Sequence, residues 1–321
     1  MIYREVHNLI LTVFAASLLA LPVSCSKQDW AESASGHEMT FSVSAESLTK
    51  GVVTGSTLTD NVTGFRPLFI SAFLHSQIGT HVPYFTGERF VRNGTAWKHT
   101  PSIYWPMGGT MDMLFYSAVN EFGTGMVRWG TSNNAERMRL YFGSDRTQDD
   151  VLFGSLWGTA SSGSSPLNVS LEHSQAWIVF QFSLKAGALD LPVTLTRVVL
   201  TDTYITGVLN VENAYGHPTH EWDFRSSEAR DRIVEDPDGV YGTPVTSAVK
   251  SVRMLIPEQE RKKVVVYYTV DGVEYSAERE LSHSYWNAGK KYTYTLVFDP
   301  VTRSVGDEFQ ARIVELDEVE F

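Results

Sequence analysis

The chain has 321 residues, a formal net charge of −11, 43% hydrophobic and 12% aromatic residues, values that suit one large or two medium globular domains. The acidity argues against a nucleic-acid partner, because phosphate binding needs basic patches and the longest basic run is the triplet Arg261-Lys262-Lys263. With one cysteine, Cys25, an intramolecular disulfide is excluded.

Leu9 to Leu21 is apolar except for Thr12 and Ser17, follows Arg4 and precedes small residues, so residues 1–24 read as a signal peptide. The run is shorter than the roughly 20 residues a spanning helix needs. Leu21-Pro22-Val23-Ser24-Cys25-Ser26 resembles a lipobox, with Pro22 where the strict motif has leucine. Cys25 is therefore the expected lipidation site and new N-terminus, the other reading being an ordinary secretory peptide followed by a free thiol. Residues 25–38, polar from Gln28 to Glu38, read as a tether from the membrane.

From Met39 the periodicity is that of strands. Phe41, Val43 and Ala45 alternate with Thr40, Ser42 and Ser44. Leu68–Leu74, Met111–Val119, Met138–Phe142, Ala176–Leu184, Val193–Val211, Val252–Ile256, Val264–Tyr268 and Lys291–Phe298 are rich in β-branched and aromatic residues. Gly108-Gly109, Asn133-Asn134 and Asp236-Pro237-Asp238-Gly239 punctuate them. Asp271-Gly272 is the pair that a two-residue hairpin prefers. The expected fold is all-β, built of β-sandwiches. The small polar stretch 158–166 reads as a linker between a domain at 39–157 and another at 167–321, or as a long loop within one larger domain.

Chemical motifs are sparse. His217-Pro218-Thr219-His220-Glu221 lacks the spacing of a zinc-binding helix and reads as a loop. Asp149-Asp150 and Asp236/Asp238 sit where acidic residues serve turns. No nucleophile elbow, phosphate loop or dinucleotide fingerprint occurs. No enzyme activity, cofactor or metal site is expected. Trp97 and Trp105 flank His99-Thr100-Pro101-Ser102, so a sugar-stacking loop is one reading and packing over a sandwich edge the other.

In order along the chain, several segments resemble the fimbrillin family of Bacteroidetes type V pilus subunits. They are the lipobox at Cys25, the strand Met39–Ala45 followed by Leu48-Thr49-Lys50-Gly51, and the block from Trp97 to Pro106. Met113–Ala118, Asp149–Gly154, Leu171–Ala176 and Trp286–Tyr294 follow. The resemblance implies two tandem transthyretin-like β-sandwiches and a lipoprotein carried to the outer membrane. It also implies a trypsin-like protease that cuts ahead of Gly51 at Lys50, where the family usually has arginine; Arg66 is a poorer alternative. Phe41, Val43 and Ala45 would then be the displaced strand, filled by a strand from another pilus subunit. Val319 and Phe321, within the acidic stretch Ala311–Phe321, are the candidate donor, unless that end completes its own domain. The rival function is a glycan-binding surface lipoprotein using Trp97 and Trp105.

Overall fold

The computed structural model describes residues 34–45, 67–75, 81–118, 122–123, 125–132, 135–143, 150–160, 166–185, 192–214, 217–260, 263–281, 285–301 and 310–320. The signal-peptide run, Cys25, Lys50, Gly51, Arg66, Asp149 and Phe321 lie outside the described residues. All regular elements among the described residues are strands. The earlier strands are β1 (Ala34–Glu38), β2 (Phe41–Ala45), β3 (Leu68–His75), β4 (His81–Asn93), β5 (Ala96–Lys98), β6 (Tyr104–Pro106), β7 (Thr110–Ala118), β8 (Val127–Ser132), β9 (Ala135–Phe142), β10 (Val151–Ala160) and β11 (Leu167–His173). The later ones are β12 (Gln175–Leu184), β13 (Val193–Thr203), β14 (Gly207–Ala214), β15 (His217–Asp223), β16 (Arg230–Ile233), β17 (Lys250–Pro257), β18 (Gln259–Glu260), β19 (Lys263–Val270), β20 (Val273–Glu280), β21 (Tyr285–Trp286), β22 (Lys291–Val301) and β23 (Gln310–Glu320).

Strands β10-β11-β2-β5-β4-β3-β7 close on themselves. Strand β7 explains what lies inside and outside them. Met111, Met113 and Phe115 join the core within, whereas Leu114, Tyr116 and Ala118 point to the opposite face. A strand that is apolar on both faces needs a cover on each. The outer cover is the sheet β15-β14-β9-β8, which brings Met138, Leu140, Leu209, Val211 and Trp222 onto β7 and β10. Trp222 Nε1 donates to the Ser174 carbonyl at 3.0 Å, so its one polar atom is satisfied within this layer.

The second core lies between the sheets β17-β12-β22-β23 and β16-β13-β19-β20. Ile178, Phe180 and Phe182 alternate into it from β12, and Tyr292, Tyr294, Leu296 and Phe298 from β22. At one edge, β20 is exposed at alternate positions and carries Glu274, Glu278, Arg279 and Glu280, charges that oppose pairing with another chain. The hairpin between β19 and β20 turns at Asp271 and Gly272, both with positive φ (50° and 82°), the geometry for which Asp-Gly is suited.

Several expectations are corrected by these pairings. Residues 34–38 of the supposed tether form β1, held against β6. The supposed linker begins inside β10, whose ladder with β7 runs through Thr159 and Ala160. Residues 167–173 form β11, which pairs with β10 and β2 in the first unit. Val193–Val211 is two strands in different sheets, and β14 joins β9 rather than the second sandwich. The apolar faces of β14 and β15 match the exposed side of β7 and β10, which is why this hairpin crosses the expected boundary. His217–Glu221 is strand, not loop; Pro218 is tolerated because β15 is an edge strand.

Two consequences can be measured. A Cβ on Gly154 would lie 2.7 Å from the Ser170 carbonyl oxygen and 2.9 Å from Leu171 Cδ2, so β10 and β11 meet too closely for a side chain there. Gly154→Ala is expected to cost about 1–3 kcal/mol, read as a lower urea midpoint; an unchanged midpoint would mean that β11 yields freely. His220 Nε2 lies 3.3 Å from Glu258, a contact that raises the histidine pKa above its ordinary value against the opposing effect of burial. A raised folded pKa makes the contribution complete below the unfolded value of about 6.5 and lost as pH rises through the folded value. The melting temperature of His220→Gln should therefore fall closer to that of the wild type as pH rises from 6 to 8; a difference constant with pH would refute the pairing.

Candidate assembly site

Strand β2 is the element on which an exchange mechanism would act. It lies between β11, which it pairs in parallel from Phe41↔Leu167 to Ala45↔Leu171, and the short β5, which it meets at Phe41↔Trp97. Its polar and apolar positions alternate as the sequence suggests. Met39, Phe41 and Val43 enter the first core, while Ser44 is exposed and donates to the Val169 carbonyl at 3.4 Å.

Phe41 is fully buried and meets Phe90 and Phe115 edge-on, with ring centroids 5.3 and 5.6 Å away. Each such large apolar side chain gains about 1.5–3 kcal/mol on burial. The backbone also ties in before the strand begins: Met39 N–H donates to the Ile103 carbonyl at 2.7 Å, and Leu167 N–H to the Thr40 carbonyl at 2.9 Å. Removing residues 39–45 would leave a groove between β11 and β5, floored by Phe90, Phe115, Trp97 and Val169 and flanked by free backbone groups of β11.

A polar latch precedes the plug. Glu38 accepts from Ser102 Oγ at 2.7 Å and from Lys98 Nζ at 3.1 Å. These hydrogen bonds, that of Ser102 first, hold the Glu38 carboxyl below its ordinary pKa. The site is solvent-exposed, so the latch orients β1 more than it stabilises the fold. Sequence reasoning missed it because its members are distant in the chain and no periodicity links them.

The other predicted residues fall as follows. Ala45 is in β2, but its side chain is outside the described residues. Val319 lies in β23, opposite Thr293 of β22, so the candidate donor is already paired within its own sheet. Trp97 and Trp105 are each 1% exposed, which removes the sugar-stacking reading of that pair. Asp236 caps a turn, its carboxylate accepting from Val240 N–H and Tyr241 N–H at 2.6 Å each. An open cleft of about 620 Å³ between Tyr204, Trp222, Phe224 and Arg225 lies away from β2. Glu221 and Asp223 also line it, and hydrogen bonding to the Arg225 guanidinium lowers the Asp223 pKa to about 2.

A fimbrillin-like family model matches residues 52–313. The chain belongs to the fimbrillin-like family. In this fimbrillin-like chain, β1 and β2 lie ahead of the matched span, although β2 fills part of the core. Among solved structures, a candidate cell adhesion protein of Bacteroides uniformis aligns with a TM-score of 0.51 at 10% identity, over 86% of this chain and 97% of that one. A fimbrial protein of Bacteroides vulgatus aligns with a TM-score of 0.46 at 14% identity, over 87% and 98%. The tip fimbrial protein Mfa3 of Porphyromonas gingivalis, truncated at its C-terminus, aligns with a TM-score of 0.40 at 10% identity, over 80% and 94%. No curated protein matches the sequence. The first of these likenesses establishes a shared fold, and the family supports a surface role as a pilus or adhesion subunit.

Proposed function

We propose that this chain is a structural or anchoring subunit of a cell-surface type V pilus, exported as a lipoprotein acylated at Cys25 and assembled by proteolysis and strand exchange. The observation that carries this reading is β2: a short strand ahead of the family-matched span, yet seated in the core by Phe41. A trypsin-like cut at Lys50-Gly51 would sever β2 from the rest of the chain while leaving the strands that line its slot. A strand from another subunit would then pair with β11 and place apolar side chains in the pockets of Met39, Phe41 and Val43. Pairing in parallel with β11 is slightly weaker per residue than antiparallel pairing, which favours release of the plug. The two cores would correspond to the family's tandem transthyretin-like sandwiches. β23 would act as donor only after leaving β22, and the acidic residues in its second half, Glu315, Asp317, Glu318 and Glu320, favour a role in its own sheet.

Limited trypsin digestion of the full chain tests this. Cut wild-type protein is expected to form a ladder of heat-labile oligomers on gels, whereas Lys50→Gln stays monomeric under the same digestion. Oligomers from uncut protein, or none from protein cut at Lys50, would sink the proposal.

A further inference from the structure

A second site lies where the β15-β14-β9-β8 sheet docks on the closed strands. Three strands deliver three side chains to one point there. His81 opens β4, Asp112 lies near the start of β7, and Glu136 lies near the start of β9. The ligand atoms they offer all lie within 4.8 Å of one another. His81 Nδ1 is in contact with Glu136 Oε1 and lies 3.7 Å from Asp112 Oδ2. The three side chains are 5%, 0% and 0% exposed.

The surroundings are shaped to hold oxygen atoms. The β7–β10 ladder shifts register between Leu156 and Thr159, and the displaced Gly158 N–H donates to Asp112 Oδ1 at 2.7 Å. Asp112 thus keeps one oxygen on the bulge and turns the other towards His81. Directly across from Glu136 on the neighbouring strand is Asn213, wholly buried. Its Nδ2 donates to the Leu156 carbonyl at the same bulge, and its Oδ1 has no hydrogen-bond partner. Register places Asn213 and Glu136 side by side on one face of the sheet, so Asn213 is the neighbouring polar residue next to the three.

Buried charges are retained where they are paired or coordinate a metal. One imidazole nitrogen and two carboxylates form a borderline-hard set that suits Zn²⁺ or Mn²⁺ better than the all-oxygen sites of Ca²⁺. We propose that His81, Asp112 and Glu136, with Asn213 beside them, bind one divalent transition-metal ion, Zn²⁺ first, that staples the β15-β14-β9-β8 sheet to β4, β7 and the β10 bulge. The burial of all its ligands makes the site structural rather than catalytic. The ion would be taken up as the two layers dock.

The full-length chain, purified in detergent and stripped with chelator, is titrated with Zn²⁺ and, separately, Mn²⁺. Wild type should saturate at one ion per chain with at least one of them. At a hundredfold excess over Kd its melting temperature should rise by about 4 °C. Glu136→Gln and His81→Gln should each lose the saturable equivalent and the rise. Absence of saturable binding by wild type overturns the proposal without recourse to any variant. Equal stoichiometry in folded variants also overturns it, because the ion would then reside on surface histidines such as His220.

Discussion

Phe41→Ala is expected to lower the unfolding free energy of the full chain by about 3–5 kcal/mol, the range for emptying a buried aromatic site. Phe41 touches Phe90 and Phe115 with no exposed surface, and it sits where β2 crosses from β11 to β5, so the cavity cannot collapse without moving a strand. Urea denaturation should show a lower midpoint at a nearly constant slope. The same substitution weakens the plug without touching the cleavage site. Uncut Phe41→Ala protein should therefore take up a strand from added cut subunits that uncut wild type refuses. A loss below about 1 kcal/mol would mean that β2 is a loosely held edge rather than a core strand.

Asp150→Ala should cost a comparable amount, about 3–5 kcal/mol. Asp150 Oδ1 lies 2.9 Å from His173 Nδ1, and the two residues are 2% and 3% exposed. The pair closes the junction between β10 and β11, whose ladder is confined to Leu152↔His173 and Phe153↔Glu172. Truncating the aspartate removes the carboxylate that faces a buried imidazole. Asp150→Asn, which keeps an acceptor and the shape, should lose less than half as much. Equal losses for the two would show that the charge, not the hydrogen bond, holds this seam. Because β11 is the rail along which β2 pairs, both variants should also weaken acceptance of an incoming strand.

Local pattern made much of this fold legible. Alternation along Phe41–Ser44 and the Asp271-Gly272 turn follow from side-chain period and turn chemistry, and the structure has them where the residues suggest. Sheet membership was not legible. β14 and β15 carry the same alternation whether they cover β7 or remain in the second sandwich, and only the unmatched outer face of β7 decides between them. Strand β4 escaped because most of its residues are exposed or half-buried without a clean period of two. Trp97 and Trp105 sit among loop-like residues, yet the closure of β2, β4 and β5 around the core buries both indoles. The His81, Asp112 and Glu136 cluster had no local signature at all, since each ligand comes from a different strand and only register brings them together. The resemblance to fimbrillins, by contrast, lay in the order of segments, a feature that survives without any single specific motif.

The most direct measurement on the central claim is N-terminal sequencing, with intact mass, of the form of this chain recovered from surface filaments. Chains that begin at Gly51 are expected, with the residues from acylated Cys25 to Lys50 released. Filaments composed of chains that retain an acylated Cys25 and an intact β2 would contradict it.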